Sequence, residues 1–166
     1  MRIYHGSNVV VNRPEILEEQ RMLDFGKGFY TTKNEEQAQR WAQKVSARRN
    51  SNKGCISVYE FDYENASKEL DIIRFETADE KWLEFVCSCR KGEDFSKNYD
   101  MVFGPVADDN VYETVQLYEL GVLKTAEVLE RLKIEKLYNQ ILFHSEKSLN
   151  YCSYIESYEI GVEENE

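Results

Sequence analysis

Strand-like and helical segments are mixed along this chain without the regular strand–helix–strand alternation that a parallel sheet requires. Apolar runs predict strands at residues 2–5, 29–32, 55–63, 70–73, 101–106, 139–144 and 154–160. No internal repeat, Pro/Ser-rich linker or low-complexity block divides the sequence. The order of segments therefore predicts one α+β domain over residues 1–166, with a mostly antiparallel sheet and flanking helices.

Helices are predicted from capping residues and from apolar periodicity. Asn34 is the expected N-cap of a helix over residues 35–47, and Gln37 is placed to reach back to that cap. The remaining predictions are a helix with a capping box of Thr77 and Glu80 that ends at Gly92, a helix over 111–120 closed by Gly121, a helix over 126–137 capped by Thr125, a short helix begun by Ser145, and a turn of helix after Pro14.

Charge and cysteine content restrict the classes of partner. The chain has 21 basic and 31 acidic residues, a formal net charge of −10, so general nucleic-acid binding is not expected. Its four cysteines form no Cys-x-x-Cys pair, which argues against a zinc site and for reduced thiols. There is no apolar signal region and no run of about 20 apolar residues, so we expect a cytoplasmic protein outside the membrane.

Three short segments each place an uncommon functional side chain on a strand or at its mouth. They are YHGS at residues 4–7, DFGKGFY at residues 24–30 and NQILF at residues 139–143. Together they resemble the three signature motifs of the ADP-ribosyltransferase superfamily, in the branch that includes diphtheria toxin and the poly(ADP-ribose) polymerases. In that branch a Gly-Lys-Gly run leads into a strand tyrosine, and the next helix supplies a second aromatic residue. Tyr30 and Trp41 have that spacing.

The resemblance implies a split, mostly antiparallel sheet that binds NAD⁺, transfers its ADP-ribose and releases nicotinamide, with no metal. It assigns catalytic roles to His5, Tyr30 and Gln140, and NAD⁺ contacts to His5, Gly6, Ser7, Lys27, Tyr30 and Trp41. Each residue taken alone also has a purely structural interpretation. Tyr30 and Trp41 could be core aromatics, His5 a hydrogen-bonded strand histidine and Lys27 an exposed loop lysine.

The chemistry of NAD⁺ cleavage suits these residue types. Breaking the glycosidic bond creates an oxocarbenium-like ribose, so a catalyst must hold the ring and stabilise the developing positive charge. His5 can donate a hydrogen bond to a ribose hydroxyl, and the Gly6 backbone can pair with the nicotinamide amide. Tyr30 and Trp41 can stack on the pyridinium, and Lys27 could meet the pyrophosphate.

Gln140 departs from the superfamily, which usually has glutamate at this position. Glutamine keeps the hydrogen bonding but not the charge, and losing general-base help can cost about 10²-fold to 10⁴-fold in rate. The acceptor could be nucleophilic enough without a base, or the protein could bind NAD⁺ without turning it over. Another carboxylate could also serve, and the candidates are Glu113, Glu146 and Asp109.

Over nearly its full length the chain also resembles an uncharacterised bacterial family, a domain of unknown function whose genes often lie beside small antitoxin-like genes. The stretch YDMVFGPVADD at residues 99–109 carries this resemblance. It implies the toxin of a toxin-antitoxin pair, a small antitoxin protein as partner and an acceptor of unknown identity. The alternative is a catalytically silent NAD⁺-binding or partner-binding module. An enzyme that removes phosphate from RNA ends is disfavoured by the net charge.

Overall fold

The computed structural model describes residues 1–17, 23–105, 109–134 and 137–161, and within these ranges the chain forms seven strands and six helices. The strands are β1 (Arg2–Ser7), β2 (Phe29–Thr32), β3 (Lys53–Phe61), β4 (Ile72–Arg74), β5 (Met101–Pro105), β6 (Asn139–Phe143) and β7 (Cys152–Gly161). The helices are α1 (Glu35–Arg48), α2 (Tyr63–Glu69), α3 (Glu80–Arg90), α4 (Asp109–Glu119), α5 (Thr125–Leu132) and α6 (Glu146–Leu149).

All seven strands belong to one sheet in the order β4-β5-β6-β2-β1-β3-β7. Every neighbouring pair is antiparallel except β4 and β5, which are parallel. The predicted α+β class with a mostly antiparallel sheet is therefore confirmed. None of the helices in the described ranges has the length and apolar character needed to cross a membrane.

Alternation along the strands gives the sheet two apolar faces. Face A carries Ile3, Phe29, Ile141 and Phe143, which pack with Tyr59 and other buried residues. Face B has two clusters. Near β1 and β3 it is covered by α1, and near β5 and β6 it is covered by α3, α4 and α5. The residues of face B that matter below are Tyr30 and Leu142 in the larger cluster, and Ala38, Ala42, Ile56 and Val58 under α1.

The helix caps confirm some sequence predictions and correct others. Asn34 caps α1 as predicted, since its side chain accepts a hydrogen bond from the Gln37 backbone N–H at 2.9 Å. Gln37 does not reach back, because its side chain is buried and its Oε1 has no hydrogen-bond partner in the described part of the chain. The N-cap of α3 is Asp79 rather than Thr77, and it accepts from the Trp82 N–H at 3.0 Å.

Three further segments differ from prediction. Helix α5 is preceded by Lys124 as N-cap rather than by Thr125, and it ends at Leu132, five residues before the predicted end. Helix α2 was not predicted and replaces the end of the expected strand at residues 55–63. No helix follows Pro14 over residues 14–17, and residues 18–22 lie outside the described ranges.

Candidate functional site

The sheet opens between β1 and β2. These strands share a single pair of Cα partners, Tyr4 and Thr32, whereas β1 pairs with β3 at six positions and β2 pairs with β6 at four. Beyond Tyr4 the two strands therefore separate. The His5 side chain bridges the separation, because its Nδ1 lies 2.7 Å from the backbone oxygen of Tyr30.

His5 is a neutral hydrogen-bonding group at this opening. Its half-buried ring lies against Phe29, with 4.4 Å between the ring centroids. Burial lowers the pKa of His5, and the hydrogen bond to the Tyr30 carbonyl offsets this only in part. Because a carbonyl can only accept, Nδ1 carries the proton and Nε2 presents a lone pair. The expected contact with a ribose hydroxyl is therefore one in which His5 accepts rather than donates.

Gly6 lets α1 approach β1 closely. A Cβ at this position would lie 2.0 Å from the backbone oxygen of Ala38 and 2.8 Å from the backbone nitrogen of Ala42. The same helix carries Trp41, whose side chain is half-buried. Gly6 thus has a packing role whether or not its backbone meets a ligand. Ser7, also half-buried, pairs with Cys55 of β3 at the end of β1.

Tyr30 braces the loop that precedes its own strand. Its hydroxyl donates to the Gly26 carbonyl at 2.6 Å and accepts from the Phe25 N–H at 3.2 Å. Burial, followed by the nearby Asp24 carboxylate, raises the pKa of Tyr30 well above its ordinary value, so the hydroxyl stays protonated. The side chain is 9% exposed. Lys27, in the same loop, is half-buried.

An ion pair ties this loop to α3. The guanidinium of Arg90 donates to Oδ1 of Asp24 from Nε at 3.1 Å and from Nη2 at 2.7 Å. The two side chains are only 11% and 14% exposed, and Glu119 lies 3.8 Å from Nη1 of Arg90. Two side chains therefore hold the loop before β2, the Tyr30 hydroxyl at Phe25 and Gly26 and Arg90 at Asp24.

Gln140 lies one strand beyond β2. Its Cα partners are Thr32 on β2 and Gly104 on β5, so it shares a row with Tyr4. The side chain is 2% exposed, and its Nε2 finds no hydrogen-bond partner among the described residues. A buried amide nitrogen without a partner is costly, which marks this position as unusual.

The predicted site residues lie on the adjacent strands β1, β2 and β6, on α1 and, for Lys27, in the loop before β2. Their side chains do not all point to the same face of the sheet. Alternation places Tyr30 and Gln140 on face B, the side on which α1 packs through Ala38 and Ala42. His5 points to face A, where it contacts Phe29. A ligand that meets both His5 and Tyr30 would therefore have to lie where β1 and β2 separate.

Of the alternative carboxylates, Glu113 and Glu146 lie away from Gln140. Glu146 is in the first turn of α6, beyond the opposite end of β6, and its Oε1 accepts a hydrogen bond from the Ile16 N–H at 3.2 Å. Glu113 lines a shallow groove between α4 and α5. The side chain of Asp109 lies outside the described part of the chain.

A cavity of about 180 Å³ at the ends of β4, β5 and β6 was missed by the sequence analysis. Its lining residues are Lys33, Arg74, Phe75, Glu76, Phe103, Gly104, Asn139 and Ile141. Asn139 and Ile141 flank Gln140 along β6, and Gly104 is its Cα partner on β5. No local sequence motif indicates this cavity, because its lining residues come from four separate segments of the chain.

The fold and the site define an α+β protein with one mostly antiparallel sheet, in which β1 and β2 share a single pair of Cα partners and a neutral histidine bridges them. The chain belongs to the family described as "Protein of unknown function (DUF3990)", which matches residues 1–154. No curated protein and no solved structure matches the chain. The relationship to ADP-ribosyltransferases therefore stays a prediction that rests on the motifs.

Proposed function

We propose that this protein is an NAD⁺-dependent mono-ADP-ribosyltransferase, acting in the cytoplasm as the toxin of a toxin-antitoxin pair. The observation that carries the proposal is the opening between β1 and β2, with neutral His5 held by the Tyr30 carbonyl at its edge. The helix that carries Trp41 packs directly on Gly6 beside it. His5, Gly6 and Tyr30, three of the residues that the motifs single out, lie on the two strands that border this opening.

In this proposal each residue acts on NAD⁺ in the opening. The Nε2 lone pair of His5 accepts a hydrogen bond from a hydroxyl of the nicotinamide ribose, and the Gly6 backbone pairs with the nicotinamide amide. The rings of Tyr30 and Trp41 hold the pyridinium through cation–π contacts. The bond between the ribose C1″ and the nicotinamide nitrogen breaks, its electron pair leaves with neutral nicotinamide, and the acceptor forms a new bond to C1″.

Gln140 orients the ribose in this scheme but supplies no negative charge and no general base. That change favours a second candidate, a catalytically silent NAD⁺-binding or partner-binding module. Where a carboxylate at such a position acts as a general base, its loss lowers the rate about 10²-fold to 10⁴-fold. The two candidates differ in one measurable property, which is the release of nicotinamide.

The first test is incubation of the purified, partner-free protein with NAD⁺ labelled in its adenylate part and a cell extract. We expect nicotinamide release and transfer of label to an acceptor. Trp41→Ala should reduce both by at least about tenfold, because one face of the pyridinium loses its aromatic partner. Leu120→Ala is the control, since Leu120 is 70% exposed just after α4 and should leave both rates unchanged.

A wild-type protein that neither releases nicotinamide nor transfers label would overturn the enzymatic proposal. Gln140→Glu then separates the two candidates. A large gain of activity from an inert wild type identifies the silent module, whereas loss of existing activity identifies an enzyme adapted to glutamine. Binding of NAD⁺ to each variant, measured by calorimetry, shows whether the change affects binding or the chemical step.

A further inference from the structure

Two buried glutamines each end in an atom that has no hydrogen-bond partner. Oε1 of Gln37, on α1, lacks a donor, and Nε2 of Gln140, on β6, lacks an acceptor among the residues that the structure describes. The two side chains are only 4% and 2% exposed. An unpaired polar atom at this depth is unfavourable for the fold, so its presence twice in one region calls for a physical explanation.

Hydrogen bonds place the first turn of α1 against the start of β6. The Thr32 hydroxyl donates to the Asn139 carbonyl at 2.9 Å and accepts from the Asn34 N–H at 3.0 Å. The Asn34 side chain in turn accepts from the Gln37 N–H at 2.9 Å. Three hydrogen bonds therefore connect the backbone of Gln37 to the residue that directly precedes Gln140.

The side chains of Gln37 and Gln140 end in the same space. Arg40 lies three residues after Gln37 on the same flank of α1, and its guanidinium carbon is 5.3 Å from the centroid of the Tyr138 ring. This flank therefore faces the start of β6. Gln140 points to face B, the side on which α1 packs. The two amides thus lie between α1 and β6, without bonding to each other.

The two unpaired atoms are complementary to a hydroxyl group. Oε1 of Gln37 can only accept and Nε2 of Gln140 can only donate, whereas a hydroxyl does both. A carboxylate or a phosphate dianion would leave Gln37 Oε1 unpaired, and an ammonium group would leave Gln140 Nε2 unpaired. The pair therefore favours a neutral group that both donates and accepts.

The pair lies one step along the sheet from the aromatic residues of the proposed site. Tyr30 and Thr32, the Cα partner of Gln140, are two residues apart on face B, which corresponds to about 6–7 Å along a strand. Trp41 lies four residues after Gln37, one turn along the same flank of α1. In NAD⁺ the ribose is joined directly to the pyridinium ring. A ring held by Tyr30 and Trp41 would therefore have its ribose near the two glutamines.

We propose that Gln37 is a ribose-binding residue, and that its Oε1 and the Nε2 of Gln140 together hold one hydroxyl of the nicotinamide ribose. This inference rests on the proposed function. The nicotinamide ribose has two hydroxyls, so this contact is additional to the one proposed for His5. The ligand reaches the pair from the flank of α1 that carries Arg40, which is exposed and whose cation–π contact with Tyr138 is weak in water.

Calorimetry with NAD⁺ and its 2″-deoxy and 3″-deoxy analogues tests the contact, because each analogue lacks one hydroxyl of the nicotinamide ribose. Gln37→Leu should weaken NAD⁺ binding about fivefold, because leucine has a similar size but cannot accept a hydrogen bond. The analogue without the hydroxyl held by the pair should bind the wild type and Gln37→Leu equally. The other analogue should lose affinity as NAD⁺ does.

Gln43→Leu is the matched control. It makes the same change on the same helix, but six residues on and therefore about 120° around the helix from Gln37. We expect it to leave all three affinities unchanged.

A second measurement needs no variant. In ¹⁵N-labelled wild type, the side-chain N–H signals of Gln140 should shift when NAD⁺ is added and shift much less with one of the two deoxy analogues. Equal shifts with NAD⁺ and both analogues would overturn the ribose contact, even if Gln37→Leu fails to fold.

The outcomes separate this inference from the proposed function. A wild type that does not bind NAD⁺ overturns the proposed function and, with it, the ribose contact. If NAD⁺ binds but Gln37→Leu weakens NAD⁺ and both analogues equally, the ribose contact alone is overturned, since Gln37 then acts through the fold. Unchanged affinities in Gln37→Leu overturn it as well, and indicate that water pairs with the two glutamines. The comparison uses binding alone and does not depend on turnover.

Discussion

Tyr30 illustrates how a residue chosen from a motif can serve the fold at the same time. Its hydroxyl satisfies the Gly26 carbonyl and the Phe25 N–H, both in a buried loop, while its ring packs against face B. A role in stacking would use the ring only. The two roles can therefore be separated by removing the hydroxyl and keeping the ring.

Tyr30→Phe should reduce the free energy of unfolding by about 1–3 kcal/mol, because it leaves a buried carbonyl and a buried N–H without their partner. Chemical denaturation measures this change. Tyr112→Phe is the control, and because that side chain is 44% exposed we expect a change below about 0.5 kcal/mol. Nicotinamide release per folded molecule should stay within a few-fold of wild type. Equal stability of the two variants would contradict the bracing role of the hydroxyl.

At the residue scale the sequence predicted types of interaction better than the particular partners. Asn34 was identified correctly as a cap, but Thr77 and Asp79 are both good capping residues two positions apart, and only the structure shows that Asp79 accepts the bond from Trp82. Lys33 and Arg74 were not singled out. They belong to separate segments, and only the pairing of distant strands brings them to one cavity.

At the scale of elements, the contact between β1 and α1 depends on Gly6. Gly6→Ala should lower the free energy of unfolding by about 1–3 kcal/mol or more, because the new methyl group would overlap backbone atoms of Ala38 and Ala42 that cannot rotate away. Thermal and chemical denaturation measure the loss. Gly161→Ala is the matched strand control, since nothing lies within 4 Å of a Cβ at that position. Similar losses in both variants would show that α1 does not pack this closely.

The loop before β2 depends on a second contact between elements, the ion pair of Arg90 on α3 with Asp24. Arg90→Met should destabilise the fold by about 3–5 kcal/mol, because it removes the guanidinium that pairs with the nearly buried Asp24 carboxylate. Lys91→Met removes a neighbouring exposed charge and should cost less than about 0.5 kcal/mol. Denaturation midpoints compare the two. A double variant, Arg90→Met with Asp24→Asn, should recover part of the loss if the broken ion pair is its cause.

Element boundaries were less predictable than element types, for physical reasons. The predicted strand at residues 55–63 ends early because Asp62 caps α2, accepting a hydrogen bond from the Asn65 N–H at 3.2 Å. A seven-residue helix has too few turns for a clear apolar periodicity. Helix α5 ends at Leu132, although the sequence favours helix beyond it, and the residues from 135 to 136 lie outside the described ranges.

At the scale of the whole molecule, the α+β class followed from the sequence but the strand order did not. Local patterns cannot show that β1 lies between β2 and β3, or that β6 inserts between β5 and β2, since these pairings join distant segments, and Phe29 and its partner Phe143 are 114 positions apart. The opening between β1 and β2 is a consequence of that order. The motifs identified His5, Tyr30 and Gln140, and the sheet topology shows that these residues lie on three adjacent strands.

The two histidines should control the stability of the whole fold near neutral pH. Burial lowers the pKa of His5 and of His144, although the carboxylates of Asp94 and Asp100 oppose the shift at His144. Both stay neutral in the fold at pH values where the unfolded chain is already protonated, from about their ordinary value of 6.5 downward. The unfolded state then binds more protons, so the free energy of unfolding should fall as the pH falls.

We therefore expect a lower free energy of unfolding at about pH 5.5 than at about pH 7.5, measured by denaturation at constant ionic strength. The carboxylates of Asp62 and Asp94, whose pKa values are lowered, add a further loss only nearer pH 3.8 and below. His5→Gln and His144→Gln should each reduce the dependence of the free energy of unfolding on pH, and the double variant should remove most of it. This expectation holds even if the variants differ from the wild type in stability at pH 7.5. A slope that stays at the wild-type value in the double variant would show that other groups bind the protons. A wild-type slope in His5→Gln would show that His5 does not enter the fold as the neutral acceptor on which the proposed contact with ribose depends.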